Sequence, residues 1–380
     1  MIREDVRKLV GEVVREIAEG IETGQMGRRI RVGLTLGGSE LGSDELRRGA
    51  HLAQLGHSDL EVVLLGPETN AEGEACERLV HEKMEKMLDS GEIDAAVTMH
   101  YSFPIGVSTV GRVVTPGRGR EMFISTTTGT SATGRVQAMV KNAVYGIIAA
   151  KAAGIAKPTV GILNVEGARQ VERALRKLSD GGYQIQFASS VRADGGAVMR
   201  GNDLLAGGPD VMVCDSLTGN VLMKVFSAFS TGGEYEASGY GYGPGIGEGY
   251  NRIIMILSRA SGAPVVTGAI RYAADLVRGG LPRVAAAEFA AARQAGLDQL
   301  FQETKQAVKQ EEEEVAPPPE KLVTHEIGGI DILEIEAAVR ALWRTGIYAS
   351  TGMGCTGPVI MVADEDLEKA KAILAENNYL

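Results

Sequence analysis

A cysteine set among glycines near the C-terminus, Thr351-Gly-Met-Gly-Cys355-Thr-Gly-Pro358, is the first place where this sequence offers chemistry. Glycines allow positive φ, let another molecule approach closely and leave no side chains to cover the sulfur, which suits an accessible thiolate nucleophile. The same residues also fit a tight turn between two strands, with the cysteine as a small apolar filler. A second candidate is Asp215-Ser-Leu-Thr218-Gly219-Asn220-Val-Leu-Met-Lys224, read as a polar glycine turn between a buried strand and a helix starting near Asn220. Free N–H groups and the positive end of the helix dipole, one turn before Lys224, would hold a phosphate. A capped helix with a solvated lysine reads equally well from these residues alone. The third is Gly37-Gly38-Ser39, which follows an apolar run and has neither Gly-x-Gly-x-x-Gly spacing nor a Walker sequence. These give Cys355 as the candidate nucleophile, and Gly37, Gly38, Ser39, Thr218, Gly219, Asn220 and Lys224 as candidate phosphate- and acyl-binding residues. His100 fits a base or a structural histidine and carries no assignment, Cys214 lies in an apolar strand and reads as core, and no clustered ligand set predicts a metal site.

The elements that must position these residues alternate. Ile30–Leu36, Glu61–Leu65, Ala95–Met99, Met122–Ser125, Thr159–Leu163, Gln184–Ala188 and Val211–Cys214 read as strands, with helices predicted over 71–88, 134–153 and 167–179 between them. That alternation predicts an α/β fold, in which connections beyond the strands' carboxyl ends form the ligand crevice. Gly37–Glu40, His100–Phe103, Thr126–Thr133 and Asn164–Gly167 should then share one rim. Residues 231–250 carry too much glycine for regular structure and read as a long loop; Arg252–Leu257 and Val265–Thr267 read as returning strands, and 268–310 as an alanine-rich helical region. At the N-terminus, Val6, Leu9, Val10, Val13, Val14, Ile17 and Ile21 recur at helical spacing, so 3–23 reads as an amphipathic helix in need of a surface to pack on.

The run Glu311-Glu-Glu-Glu-Val-Ala-Pro-Pro-Pro-Glu320 cannot continue a packed sheet and reads as an extended tether. It divides the chain into a body over 1–310, a linker over 311–320 and a small α/β module over 321–380 that carries Cys355. At roughly 3.3 Å per residue, the stretch 309–320 reaches about 40 Å, which fits a swinging carrier; a module docked permanently on the body fits as well.

Composition removes other classes. A net charge of −10 argues against nucleic acid, whose binders carry basic surfaces. Three scattered cysteines, without Cys-x-x-Cys spacing, fit a reducing cytoplasm. The opening Met1-Ile-Arg-Glu-Asp-Val-Arg-Lys is not a signal peptide, and the apolar stretch Ala143–Leu163 is broken by Lys151, Lys157 and Pro158, so no membrane span is predicted.

From Gly37 to Lys224 the body resembles the phosphate acyltransferase family of bacterial phospholipid synthesis. Gly219, Asn220 and Lys224 match that family's Asp-Gly-Phe-x-Gly-Asn-x-x-Leu-Lys element, and Gly161-Ile-Leu-Asn164 its Gly-x-Leu-Asn. The resemblance implies a two-lobed αβα body of the isocitrate/isopropylmalate dehydrogenase-like type, and conversion of an acyl thioester and phosphate into an acyl phosphate. The N-terminal helix and the tethered cysteine depart from that enzyme. Body and cysteine together resemble the alpha subunits of component C of the glycine, sarcosine and betaine reductase complex. That second resemblance implies an acetyl group held on Cys355 and released to inorganic phosphate as acetyl phosphate, with no bound cofactor. It also implies two partners: a ketoacyl-synthase-like component C beta subunit, and selenoprotein A delivering the two-carbon unit. A stand-alone phosphate acyltransferase or phosphotransacetylase would need no Cys355, and a structural subunit would need neither Cys355 nor Lys224.

Overall fold

Strand-forming runs and amphipathic helices alternate through the body of the computed structural model. It describes residues 28–66, 74–191, 195–302, 315–330, 334–354, 357–377 and 379–380, together with 6, 10, 11, 13–15, 17, 18, 20 and 21. The strands of the body are β1 (Ile30–Thr35), β2 (Leu60–Leu65), β3 (Ala95–Thr98), β4 (Ser108–Val114), β5 (Glu121–Gly129), β6 (Thr159–Leu163), β7 (Gln186–Phe187), β8 (Val198–Met199), β9 (Val211–Val213), β10 (Gly243–Ile246) and β11 (Ile254–Ile256). The helices are α1 (Ser43–Gly56), α2 (Glu74–Ser90), α3 (Arg135–Ala152), α4 (Ala168–Asp180), α5 (Gly201–Ala206), α6 (Ser216–Ala228), α7 (Ala263–Arg278) and α8 (Leu281–Gln294). Among the described residues the eleven strands form one sheet in the order β2-β1-β3-β11-β10-β4-β5-β9-β6-β7, with β8 also pairing β6.

This is the mixed α/β architecture that the alternation predicts. Two parallel blocks, β2-β1-β3-β11 and β5-β9-β6 with β7 and β8, are joined through antiparallel pairings of β10 and β4. Val32, Leu34, Val97, Val160, Ile162, Val211 and Val213 from both blocks share one buried core, as expected for parallel strands covered on both faces. The middle of α3 is buried nearly all round, which its run Ala143–Ala150 anticipates.

Three expectations change. The glycine-rich stretch contributes β10 to the centre of the sheet, where a Cβ on Gly243 would stand 1.7 Å from the Val110 carbonyl oxygen. Glycine at 243 permits close strand packing at positive φ, whereas Gly232 and Gly233 lie in the loop that the sequence predicts, exposed and with open space around them. Val265–Thr267 lies inside α7, because Val266 packs so tightly on α1 that a Cβ on Gly49 would come within 2.6 Å of it. Tertiary burial overrides the local β-preference of that run. Finally, β4, which follows the Gly106 turn, pairs β5 and carries the polar residues Ser108 and Thr109 fully buried.

Beyond the linker, β12 (His325–Ile327), β13 (Ala349–Gly354) and β14 (Gly357–Val362) form an antiparallel sheet with β14 central. Helices α9 (Ile335–Arg344) and α10 (Leu367–Glu376) pack on it around Ile335, Leu342, Ile360 and Leu374. Ile330 lies outside these strands and is buried in the same core. An ion pair between Arg173 on α4 and Glu334 links the module to the body.

Candidate functional site

A cavity of about 290 Å³ opens where β1, β3 and β11 end and α6 passes. Glu40 comes from the β1–α1 loop, His100 follows β3, Thr128 closes β5, Asn220 and Lys224 come from α6, and Ser258 and Arg259 follow β11. The strand-end rule therefore gathers segments that lie far apart in sequence.

Asp215 starts α6. Its carboxylate accepts from the Thr218 N–H at 3.0 Å and the Thr218 hydroxyl at 2.6 Å, and it pairs with Arg135 at 2.9 Å. Burial opposes ionisation of this carboxyl, but the Thr218 hydrogen bonds and the Arg135 charge outweigh it and hold the group below its usual range. The helix thus begins at Ser216 and not near Asn220. Gly219 sits in the first turn, its N–H donated to the Asp215 carbonyl at 2.9 Å, and a Cβ there would lie 1.8 Å from the Thr126 carbonyl oxygen. Its place is a close crossing of α6 over β5. Asn220 donates from Nδ2 to the Thr127 carbonyl at 3.3 Å, while Thr127 Oγ1 donates to the Tyr242 carbonyl at 2.7 Å, tying α6, β5 and the glycine-rich stretch into one frame.

Lys224 stands one turn further on, facing the cavity. Its Nζ donates to Ser258 Oγ at 3.3 Å and lies 3.7 Å from Oε1 of Glu236, a carboxylate only 2% exposed. The Tyr242 hydroxyl at 3.0 Å and the Ser261 hydroxyl at 2.9 Å also donate to Glu236. Burial, and then the neighbouring Glu236, push the Tyr242 phenol far above its ordinary range, so it remains a donor. The resulting arrangement is a solvent-facing ammonium anchored at its base by a buried, fully hydrogen-bonded carboxylate, which suits holding an anion of modest size.

The Gly37–Ser39 loop borders the same cavity through Glu40, whose N–H donates to the Arg259 carbonyl at 2.9 Å. Gly38 has φ 81°, a Cβ on Gly37 would meet nothing within 4 Å, and Ser39 Oγ accepts from the Leu41 N–H at 3.2 Å. Asn220 and Lys224 therefore line one cavity with Glu40, the residue that follows Gly37–Ser39, whereas Gly37, Gly38 and Ser39 are not among its lining residues and Thr218 and Gly219 lie along α6 in structural contacts. The Asn164–Gly167 connection reaches the start of α6 through Arg135, which donates to the Glu166 carbonyl at 3.1 Å. Cys214 is fully buried, and burial first, then the Asp215 charge, push its thiol far up, which keeps it protonated in the core. Cys355 lies outside the described residues: Gly354 and Gly357 pair across β13 and β14, and Cys355 and Thr356 are the two residues that connect them. Among the described residues, the cavity lining is drawn from residues 40–260, with no contribution from the module.

Sequence reasoning missed Ser258, Arg259 and Glu236. The first two directly follow a buried strand, a signal that the strand-end rule would have used. Glu236 lay hidden in the stretch read as a loop.

The family model described as fatty acid synthesis protein matches residues 30–361. The chain is 56% identical over 380 residues to the glycine/sarcosine/betaine reductase complex component C subunit alpha of Peptoclostridium acidaminophilum, covering 98% of each chain. It is 25% identical over 236 residues to the phosphate acyltransferase of Thermotoga petrophila, covering 52% of this chain and 67% of that one. Against the phosphate acyltransferase of Phenylobacterium zucineum, identity is 39% over 92 residues, covering 23% of this chain and 24% of the relative. Among solved structures, a beta-decarboxylating dehydrogenase from Thermococcus kodakarensis in its apo form matches 67% of this chain and 96% of its own at 13% identity and a TM-score of 0.36. The chain belongs to the fatty acid synthesis protein family and, within it, to the group of component C alpha subunits of glycine/sarcosine/betaine reductase complexes.

Proposed function

We propose that this chain is the acyl-transfer subunit of such a complex, carrying a two-carbon acyl group as a thioester on Cys355 and passing it to inorganic phosphate. A phosphate oxygen attacks the thioester carbonyl, the carbon–sulfur bond breaks, acetyl phosphate leaves and the cysteine is restored as thiolate. The covalent stage divides one transfer between large partners into two easier steps. The observation that carries the reading is Lys224, held by Ser258 and Glu236 and facing a cavity shared with Asn220, Thr128 and the loop after Gly37–Ser39. In that cavity the Lys224 ammonium and loop N–H groups neutralise the charge of the attacking phosphate and the developing oxyanion.

Phosphate is the substrate, and no resident cofactor is needed. The component C beta subunit and selenoprotein A are the partners that this reading requires, the latter supplying the two-carbon unit. The body is taken as two-lobed, of the isocitrate/isopropylmalate dehydrogenase-like type, with 311–320 tethering the module that brings Cys355 to the cavity.

A second reading, direct transfer from an external thioester to phosphate, is favoured by the cavity being lined without the module. Arsenolysis of acetyl phosphate by the purified chain, run with and without an added external thiol as acyl acceptor, separates the two. The thioester route predicts loss of turnover in Cys355→Ser, and a loss of about tenfold or more in Lys224→Ala. Full activity in Cys355→Ser with the added thiol would leave only direct transfer, and no activity in the wild-type chain with or without that thiol would leave a structural subunit.

A further inference from the structure

Ahead of β1, the described residues of the N-terminal helix carry an exposed apolar stripe. Val6, Val10, Val13, Val14, Ile17 and Ile21 are all helical, and their exposures run from 42% to 77%. Positions 6, 10, 13 and 17 advance by four, three and four residues, the spacing that keeps one seam of a helix turned toward a neighbour. The comparisons indicate which kind of neighbour. The family match begins at residue 30, so the stripe is not part of what that family model describes. The 98% coverage shared with the reductase subunit leaves only about eight of the 380 residues unaligned, so the span that aligns with that subunit includes the positions from Val10 onward.

We infer that this stripe is the docking element by which the chain is held in the complex, lying in an aliphatic groove of the companion subunit of component C. The inference rests on the complex reading given above. Area favours a folded partner over a second copy of the same stripe. Six partly exposed aliphatic side chains offer on the order of 400 Å² of apolar surface, about half of the roughly 800 Å² that each partner of a stable interface buries. Two such stripes pressed together bury no more than this, whereas a groove also encloses the flanks of the helix. Gly11 further weakens a helix that must stand alone, so ordering it calls for a preformed surface.

The test uses the full chain co-expressed with its companion subunit, in wild-type form, as a triple variant Val10→Glu, Val13→Glu and Ile17→Glu, and as a control with leucine at the same positions. Glutamate and leucine both favour helix more than valine or isoleucine, so loss of binding in the glutamate variant is not loss of helix. The inference predicts at least a hundredfold weaker association for the glutamate variant, near wild-type association for the leucine control, and an unchanged light-scattering mass for the variant chain alone. Unchanged association would overturn it. A wild-type homo-oligomer that the glutamate variant breaks apart would also overturn it, by making a second copy the occupant. A wild-type chain that binds no companion subunit would overturn the complex reading itself, and this inference with it.

Discussion

Lys224 faces the cavity on one side and a buried carboxylate on the other. Glu236 accepts from Tyr242 and Ser261, so removing the lysine leaves that carboxylate hydrogen-bonded rather than orphaned. Lys224 itself is 57% exposed, which makes its ion pair with Glu236 a minor contributor to stability, about 1 kcal/mol or less. Lys224→Ala is therefore expected to leave the urea midpoint nearly unchanged while raising the KM for phosphate or arsenate about ten- to a hundredfold, the worth of a charge-assisted hydrogen bond. Steady-state kinetics beside a denaturation curve checks both halves. The sequence made Lys224 and Asn220 readable because they follow a buried strand and a polar turn. Glu236 was unreadable because its importance comes from two hydroxyls and an ammonium contributed by other elements.

At the scale of the element, α6 depends on its cap and on one glycine. Asp215→Ala removes the acceptor for the Thr218 N–H and should cost about 1 kcal/mol. The folded-state pKa of Asp215 is depressed, so its contribution is fully present above the unfolded value of roughly 3.9 and is lost as pH falls through the lower folded value. The stability gap between wild type and Asp215→Ala should accordingly be constant near neutrality and shrink below about pH 4, as read from denaturation at several pH values. Gly219→Ala would drive a methyl group into the Thr126 carbonyl, and a loss of up to about 3 kcal/mol in chemical denaturation is expected. Gly219 and Gly243 also mark where the sequence was hard to interpret. Glycine signals loops, ligand approach and crowded packing alike, and only the neighbours contributed by distant strands decide which applies. The longer apolar runs, Ile30–Thr35 and Thr159–Leu163 among them, were readable because burial on both faces demands a run of that kind.

Over the whole molecule, a cavity is built from strand ends of the body, while Cys355, the proposed acyl carrier, is encoded beyond the linker, between two strands that pack on a core of their own. If the tether brings Cys355 to the cavity, deleting half of 309–320 should slow acetyl transfer to phosphate at least tenfold while leaving acylation by an external donor intact, as followed in single-turnover assays. Unchanged transfer would contradict a moving carrier. The acidic, proline-rich run is a pattern visible in the sequence, whereas the contact of Arg173 with Glu334 is not, since a single ion pair between distant positions leaves no pattern there. The central claim is that Cys355 carries the acyl group, and it is tested most directly by incubating the chain with acetyl phosphate, quenching in acid and mapping the adduct by peptide mass spectrometry. The account predicts an acetyl group on the peptide containing Cys355 that disappears on adding arsenate and never forms in Cys355→Ser; turnover without that adduct would contradict it.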